Sequence, residues 1–187
     1  MRIVGGEHSG RRFNPPSNMP YTRPTTDIAK EGLFNVIQHK LDIPSLKTLD
    51  LFGGTGSISY ELASRGAEDL TIVEKDGTMF EFIKKTAETL RIEGIQVIRM
   101  DVFKYIEQCT FDYDFIFAGP PYALATIDDL PRRIHEKNLL RPGGWFVLEH
   151  TPRNDYKTFP LYKFEKNYGT TIFSVFVNGP QIAVQES

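Results

Sequence analysis

The chain has 187 residues, 40% of them apolar and 25% charged, with a formal net charge of −2. That length supports one main, well-buried domain of ordinary composition, and the charge does not announce a nucleic-acid binder. A single cysteine, Cys109, excludes an internal disulfide and reads as a packing residue. His8, His39, His135 and His150 have none of the spacings of a zinc site, no apolar run reaches membrane-spanning length and Arg2 is followed by glycines and charges instead of a signal core, so a cytoplasmic chain with no metal and no membrane partner is expected.

In chain order, Arg2-Ile3-Val4 and Arg11-Arg12-Phe13 suit a small hairpin ahead of the loop Asn14 to Asn18. Residues 1–24 are thereby expected to form an appended arm, with a main domain over 25–187. The basic charge collects in this arm, where Arg2, Arg11, Arg12 and Arg23 face only Glu7. Thr25-Thr26-Asp27 offers helix-starting hydroxyls and an acid, and Ile28, Leu33, Val36, Ile37 and Leu41 are assigned to one helical face that ends by Pro44. An apolar strand then reaches Gly53, Gly54 and Gly56. Ile58 and Leu62 make an i, i+4 pair in a helix ended by Gly66. Leu70 to Val73 reads as a strand, 77–91 as a helix and Gln96 to Met100 as a strand. Tyr113 to Phe117 and Trp145 to Leu148 read as strands flanking a helix at about 126–138, with Arg141-Pro142-Gly143-Gly144 as the turn into the latter. The runs 162–168 and 171–177, separated by Gly169, suit an antiparallel edge hairpin, and the residues after Gly179-Pro180 look free to fray. The alternation implies an α/β chain with a mostly parallel sheet.

The chemistry concentrates at strand ends. Glycines at 53, 54 and 56 let the main chain turn sharply and approach a ligand. A dinucleotide fingerprint fits poorly, because the only available frame, Gly54-Thr55-Gly56-Ser57-Ile58-Ser59, ends in serine. Asp50 would repel a pyrophosphate but attract the aminoacyl ammonium of S-adenosylmethionine. Glu74, about twenty residues on, suits a ribose diol, and Asp101 lies within plausible reach of an adenine amine. With these go Phe52, Lys75 and Val102 as expected cofactor contacts. Further along, Gly119-Pro120-Pro121-Tyr122 makes a rigid loop at a strand's carboxyl end, where Tyr122 can carry a planar base. Blander roles stay open for several residues: Phe52 and Tyr60 suit helix-on-sheet packing, Trp145 a strand core, Arg132-Arg133 a solvated helix face, and Asp128 and Asp129 helix capping.

The segment Thr22 to Asp27, the Asp50 to Gly56 turn, Glu74 and Tyr168-Gly169-Thr170-Thr171, in that order, resemble the bacterial family that methylates guanine N2 in 16S ribosomal RNA (RsmD-type), over residues 1 to about 178. The resemblance implies a Rossmann-like class I methyltransferase with a seven-stranded sheet, S-adenosylmethionine as cofactor, and 16S rRNA or a small-subunit assembly intermediate as partner, acting as a monomer. It also implies RNA contacts from the arm, Arg23 and Thr25, and a target-base pocket at Gly119, Pro120, Pro121 and Tyr122. The family's motif begins with Asp or Asn, whereas this chain has Gly119. Three explanations stay open: an introduced change that abolishes activity, which is preferred; weak turnover through the Pro120 carbonyl; or RNA binding without modification. On the preferred one, Gly119→Asp restores transfer. A DNA or protein amino-methyltransferase is the other class these motifs allow.

Overall fold

The computed structural model describes residues 1–19 and 24–179; Thr22, Arg23 and the expected frayed tail from Pro180 lie outside them. Helix α1 (Asp27–Lys40) begins where the hydroxyl signal stands, with the Thr26 side chain accepting from the Ala29 amide. Its buried residues are Ala29, Lys30, Leu33, Phe34 and Ile37. Ile28, expected on that face, is 75% exposed. It precedes Leu33 by five residues, about 140° of helical rotation, so it cannot share the face that Leu33 and Ile37 define.

The chain then alternates: β1 (Lys47–Leu51), α2 (Ser57–Ser64), β2 (Asp69–Glu74), α3 (Gly77–Leu90), β3 (Ile95–Arg99), α4 (Val102–Gln108), β4 (Tyr113–Ala118), α5 (Asp129–Glu136), β5 (Leu140–His150), β6 (Tyr162–Tyr168) and β7 (Thr171–Val177). The seven strands lie in the order β3-β2-β1-β4-β5-β7-β6, the first five parallel and β7 antiparallel to both neighbours. The expected α/β class, the mostly parallel seven-stranded sheet and the antiparallel edge hairpin are all present. From β1 the chain winds outward through β2 and β3, then returns to the other side of β1 as β4. Loops after β1 and β4 therefore diverge at a switch point and leave a crevice at the strands' carboxyl ends.

Side chains alternate across the sheet with period two. Ile116 and Ala118 of β4 join Leu49, Leu51, Val102, Ile106, Leu130 and Ile134 beneath α4 and α5. Phe115 and Phe117 face the other way, with Leu33, Phe34 and Ile37 of α1 and Ile58 and Leu62 of α2. Trp145 is a core residue of this second layer, as expected.

The N-terminal hairpin is present as an Arg2–Arg12 antiparallel bridge, with Ile3 N donating to Arg11 O at 3.0 Å. It is anchored to the domain: Ile3 and Phe13 are buried against Tyr60, Ile72 and Ile83, and the Phe13 ring meets Tyr60 edge-on at 5.2 Å. Beneath it the Lys30 ammonium, fully buried, bonds Glu61 Oε1 at 3.2 Å and Arg2 O at 2.6 Å.

Other differences are local. Helix α4 was not expected, and the helix expected over 126–138 is shorter, Asp129–Glu136. The Arg141 to Gly144 turn proves to be an irregularity inside β5, where Tyr113 pairs with Leu140 but Phe115 pairs with Trp145. No described helix is long and apolar enough to cross a membrane.

Candidate active site

The switch-point crevice opens into a cavity of about 970 Å³, at the upper end of the range of small-molecule sites. Its first wall is the turn after β1. Gly53 N still bonds Val73 O at 2.9 Å, and Gly56 N closes a tight turn on Gly53 O at 2.7 Å. Gly54 and Gly56 have φ of +55° and +79°, the left-handed region that favours glycine. Gly53 is required for space: a Cβ there would press on Ile72 and come within 3.2 Å of Ile83 Cδ1. Phe52 lines the cavity with φ of +64°, an uncommon conformation for a bulky residue and a mark of a constrained site.

The second wall is the end of β2. Glu74 is held by two amides, Gly54 N on Oε2 at 2.8 Å and Asp76 N on Oε1 at 2.7 Å. Burial still outweighs those bonds and raises its carboxyl above the ordinary value. Asp50, 3% exposed at the end of β1, accepts from Ser59 Oγ at 3.0 Å. Burial first, then the charges of Glu74 and Glu149, push its carboxyl up to about 8 against the pull of Ser59.

At the end of β3, Asp101 is the N-cap of α4, accepting from Phe103 N at 3.0 Å and Lys104 N at 3.3 Å, and it pairs with Lys75 at 3.2 Å. Burial would raise this carboxyl, but the Lys75 ammonium and those amides together hold it below the ordinary value. Asp101, Val102 and Lys75 all line the cavity. Of the expected cofactor residues, Asp50, Phe52, Gly53, Gly54 and Glu74 also line it, whereas Gly56 shapes the turn without reaching the surface.

Gly119, Pro120, Pro121 and Tyr122 close the opposite side. Gly119 N reaches Leu51 O at 3.4 Å and Leu124 N turns back to Pro121 O at 2.9 Å, so the loop is pinned at both ends. The Tyr122 hydroxyl donates to Glu149 Oε1 at 3.2 Å and lies 3.4 Å from Thr171 Oγ1. Thr25 Oγ1 donates to Glu149 Oε2 at 2.6 Å and lines the same cavity. Glu149 and the Phe103 ring at the cavity wall were absent from the expected site. For Glu149 a signal existed, an acid directly after the apolar run Trp145 to Leu148, the same pattern that singled out Glu74.

Asp128 and Asp129 stay away from this chemistry. The Asp128 side chain makes no capping bond and accepts from Tyr156 OH at 2.7 Å, while Asp129 pairs with Arg132 at 3.3 Å. Of the expected RNA-facing arginines, the described Arg2, Arg11 and Arg12 lie outside the cavity lining. Arg2 Nε bonds Asp27 at 2.8 Å, Arg11 caps α3 through Leu90 O at 2.5 Å, and Arg12 is exposed.

A pocket with a buried acid poised for a cation, a second carboxylate fixed by amides and a rigid Pro-Pro-Tyr wall can hold a ligand bearing an ammonium and hydroxyls beside a planar group. A family model described as conserved hypothetical protein 95 matches residues 1–177. The chain is 30% identical over 149 residues to Ribosomal RNA small subunit methyltransferase D of Escherichia coli strain K12, covering 80% of this chain and 71% of that one. Against the protein of the same name from Haemophilus influenzae it is 31% identical over 189 residues, covering 95% and 94%. Among solved structures, a 16S rRNA N2 methyltransferase (RsmC) of T. thermophilus in complex with AdoMet and guanosine shares the fold, with a TM-score of 0.66 at 22% identity over 82% of this chain and 44% of that one.

Proposed function

This chain belongs to the family described as conserved hypothetical protein 95, and from that premise we propose that it transfers a methyl group from S-adenosylmethionine to the exocyclic N2 amine of a guanine in 16S ribosomal RNA. The observation that carries the reading is a single cavity holding the glycine turn, the strand-end acids and the Pro-Pro-Tyr loop together. The relatives named as small-subunit rRNA methyltransferases supply the substrate class.

The residues fit the cofactor. Asp50 is unfavourable as a bare buried anion, and a ligand ammonium relieves it. Glu74, held rigidly by two amides, presents acceptors to a ribose diol. Lys75, Asp101 and Val102 border the adenine end, and Gly53 and Gly54 bring backbone close to the ligand. When bound, the cofactor supplies an electrophilic methyl group. The chain's own task is then to hold the amine in line with it, because the amine lone pair is delocalised into the ring and must be drawn out by acceptors on its protons. The Pro120 carbonyl is one such acceptor, Pro121 stiffens the loop and Tyr122 carries the base.

Arg2, Arg11, Arg12 and Thr25 are assigned to RNA, as is Arg23, which lies outside the described residues. The substrate is 16S rRNA or a small-subunit assembly intermediate, and the chain acts as a monomer. Incubation with labelled S-adenosylmethionine and 16S RNA, small-subunit particles, DNA and peptides tests this. Label should appear on guanine N2 of the RNA; label on DNA or protein with none on rRNA would overturn the substrate assignment.

A further inference from the structure

We propose that Glu149 supplies the carboxylate acceptor for the target amine that the motif position, Gly119, cannot provide. The inference rests on the methyl-transfer reading above and adds a catalytic residue to it.

Register places the two positions side by side. Ala118 of β4 pairs with Leu148 of β5, so Gly119, just past the end of β4, comes beside Glu149 of β5, and both line the cavity. A Cβ built on Gly119 would lie 3.7 Å from Glu149 Oε2, and 3.1 and 3.6 Å from two atoms of the Phe117 ring. The Glu149 carboxylate thus stands in van der Waals contact with the place where the motif side chain would start. An acid at 119 would reach into the space that Glu149 already occupies.

Glu149 is 4% exposed, and burying a carboxylate is costly unless it is paired and hydrogen-bonded. Tyr122 OH donates to Oε1 at 3.2 Å and Thr25 Oγ1 to Oε2 at 2.6 Å. One of these donors belongs to the Pro-Pro-Tyr motif itself, so the loop that carries the base also aims the acid. A carboxylate accepts at both oxygens, through about four lone-pair sites. In the reaction, Glu149 accepts one N–H of the amine while the Pro120 carbonyl accepts the other. The amine nitrogen forms its bond to the methyl carbon as that carbon's bond to sulfur breaks, with the electron pair left on sulfur. The proton then shed by nitrogen passes to the Glu149 carboxylate.

The test compares the unaltered chain, Glu149→Ala, Gly119→Asp and the double variant, each by S-adenosylmethionine calorimetry and by single-turnover labelling of 16S RNA and small-subunit particles. Glu149→Ala should keep cofactor affinity within about threefold and lose on the order of a hundredfold or more in the transfer rate, the usual cost of a lost acceptor or base. Gly119→Asp alone should bring no gain, because two carboxylates would crowd one site. Placing the acid at 119 in the Glu149→Ala background should recover at least about tenfold, a rescue that a merely structural role for Glu149 would not give. Glu149→Ala with its rate within about threefold of the unaltered chain, or a tenfold gain from Gly119→Asp alone, would overturn the proposal. If the unaltered chain and Gly119→Asp both bind the cofactor and neither labels RNA, the substrate reading itself fails and takes the Glu149 role with it. Should Glu149→Ala not fold, the Gly119→Asp arm still decides.

Discussion

Asp50 gives the sharpest quantitative test of the cofactor assignment. Its carboxyl, raised first by burial and then by Glu74 and Glu149, titrates at about 8, with the Ser59 hydroxyl and amide pulling it down. At pH 6 nearly every ligand-free molecule therefore carries a proton there. If the ammonium of S-adenosylmethionine docks beside Asp50, the ionised form becomes favoured and binding expels that proton. The expected release is about one proton per cofactor at pH 6 and about a tenth of one from this group at pH 9. The ligand's own amine, with an ordinary pKa of about 7.7–8.0, is already charged at pH 6 and adds nothing there. Calorimetry in buffers of different ionisation enthalpy reads the number directly as a slope. Asp50→Asn should flatten the slope and weaken binding. A wild-type slope near zero at pH 6, or an unchanged slope in Asp50→Asn, would refute the reasoning, the second outcome pointing to Glu74, which burial also raises. The same shift fixes a stability trend for the free protein. A raised carboxyl pKa favours the protonated fold, so this group's contribution is intact below pH ~4 and is lost as pH rises through about 8. The gap from 3.8 to about 8 corresponds to an upper limit on the order of 6 kcal/mol, by which Asp50→Asn should outlast the unaltered chain against urea at pH 9.

Two further outcomes concern the arm. Glu61→Ala leaves the buried Lys30 ammonium, for a carboxylate, only the longer contact to the half-exposed Asp27 at 3.7 Å, removes the carboxylate partner of Arg65 and frees Val4 N, which donates to Glu61 at 2.7 Å; urea unfolding should show a loss of about 3–5 kcal/mol, and a loss under 1 kcal/mol would contradict the buried-pair account. Arg12→Ala should lower the slope of log affinity for 16S RNA against log salt by about 0.7–0.9 if its exposed guanidinium meets a phosphate, and an unchanged slope would remove Arg12 from the RNA face.

The parallel sheet was legible because buried strands read as short apolar runs punctuated by glycine, as at Leu70 to Val73 and Tyr113 to Ala118. Helix α4 was not, for a definite reason. Asp101 carries the signal of an N-cap, but seven residues offer too little periodicity to separate a cap from a strand-end ligand. Ile28 was misplaced because apolar character alone does not fix helical phase. Arg141-Pro142-Gly143-Gly144 contains good turn residues, yet the structure uses them to bulge a strand, since backbone pairing resumes on both sides. At the site, the glycine turn, Glu74 and the Pro-Pro-Tyr loop were recognisable from residue type and order. The left-handed Phe52 had no sequence signature, and Glu149 carries the same acid-after-strand pattern as Glu74, whereas its link to Gly119 is a matter of strand register.

Four acids stand at strand ends around this cavity, and beside Asp101, which caps α4, the surroundings of the other three give each a different task. Glu74 has two amides on its oxygens and can stay fixed while hydroxyls approach. Asp50 has a single hydroxyl donor and two like charges nearby, so it is the one whose protonation changes when a cation arrives. Glu149 has hydroxyl donors from the Thr25 segment and from the Pro-Pro-Tyr loop, which tie it to the elements that would hold the target base. In a parallel sheet, neighbouring strands end side by side, and an acceptor lost from one end can be replaced from the next without moving the backbone. Gly119 beside Glu149 has the geometry of such a replacement, and the absence of an acid at the motif position is therefore weak evidence for an inert protein.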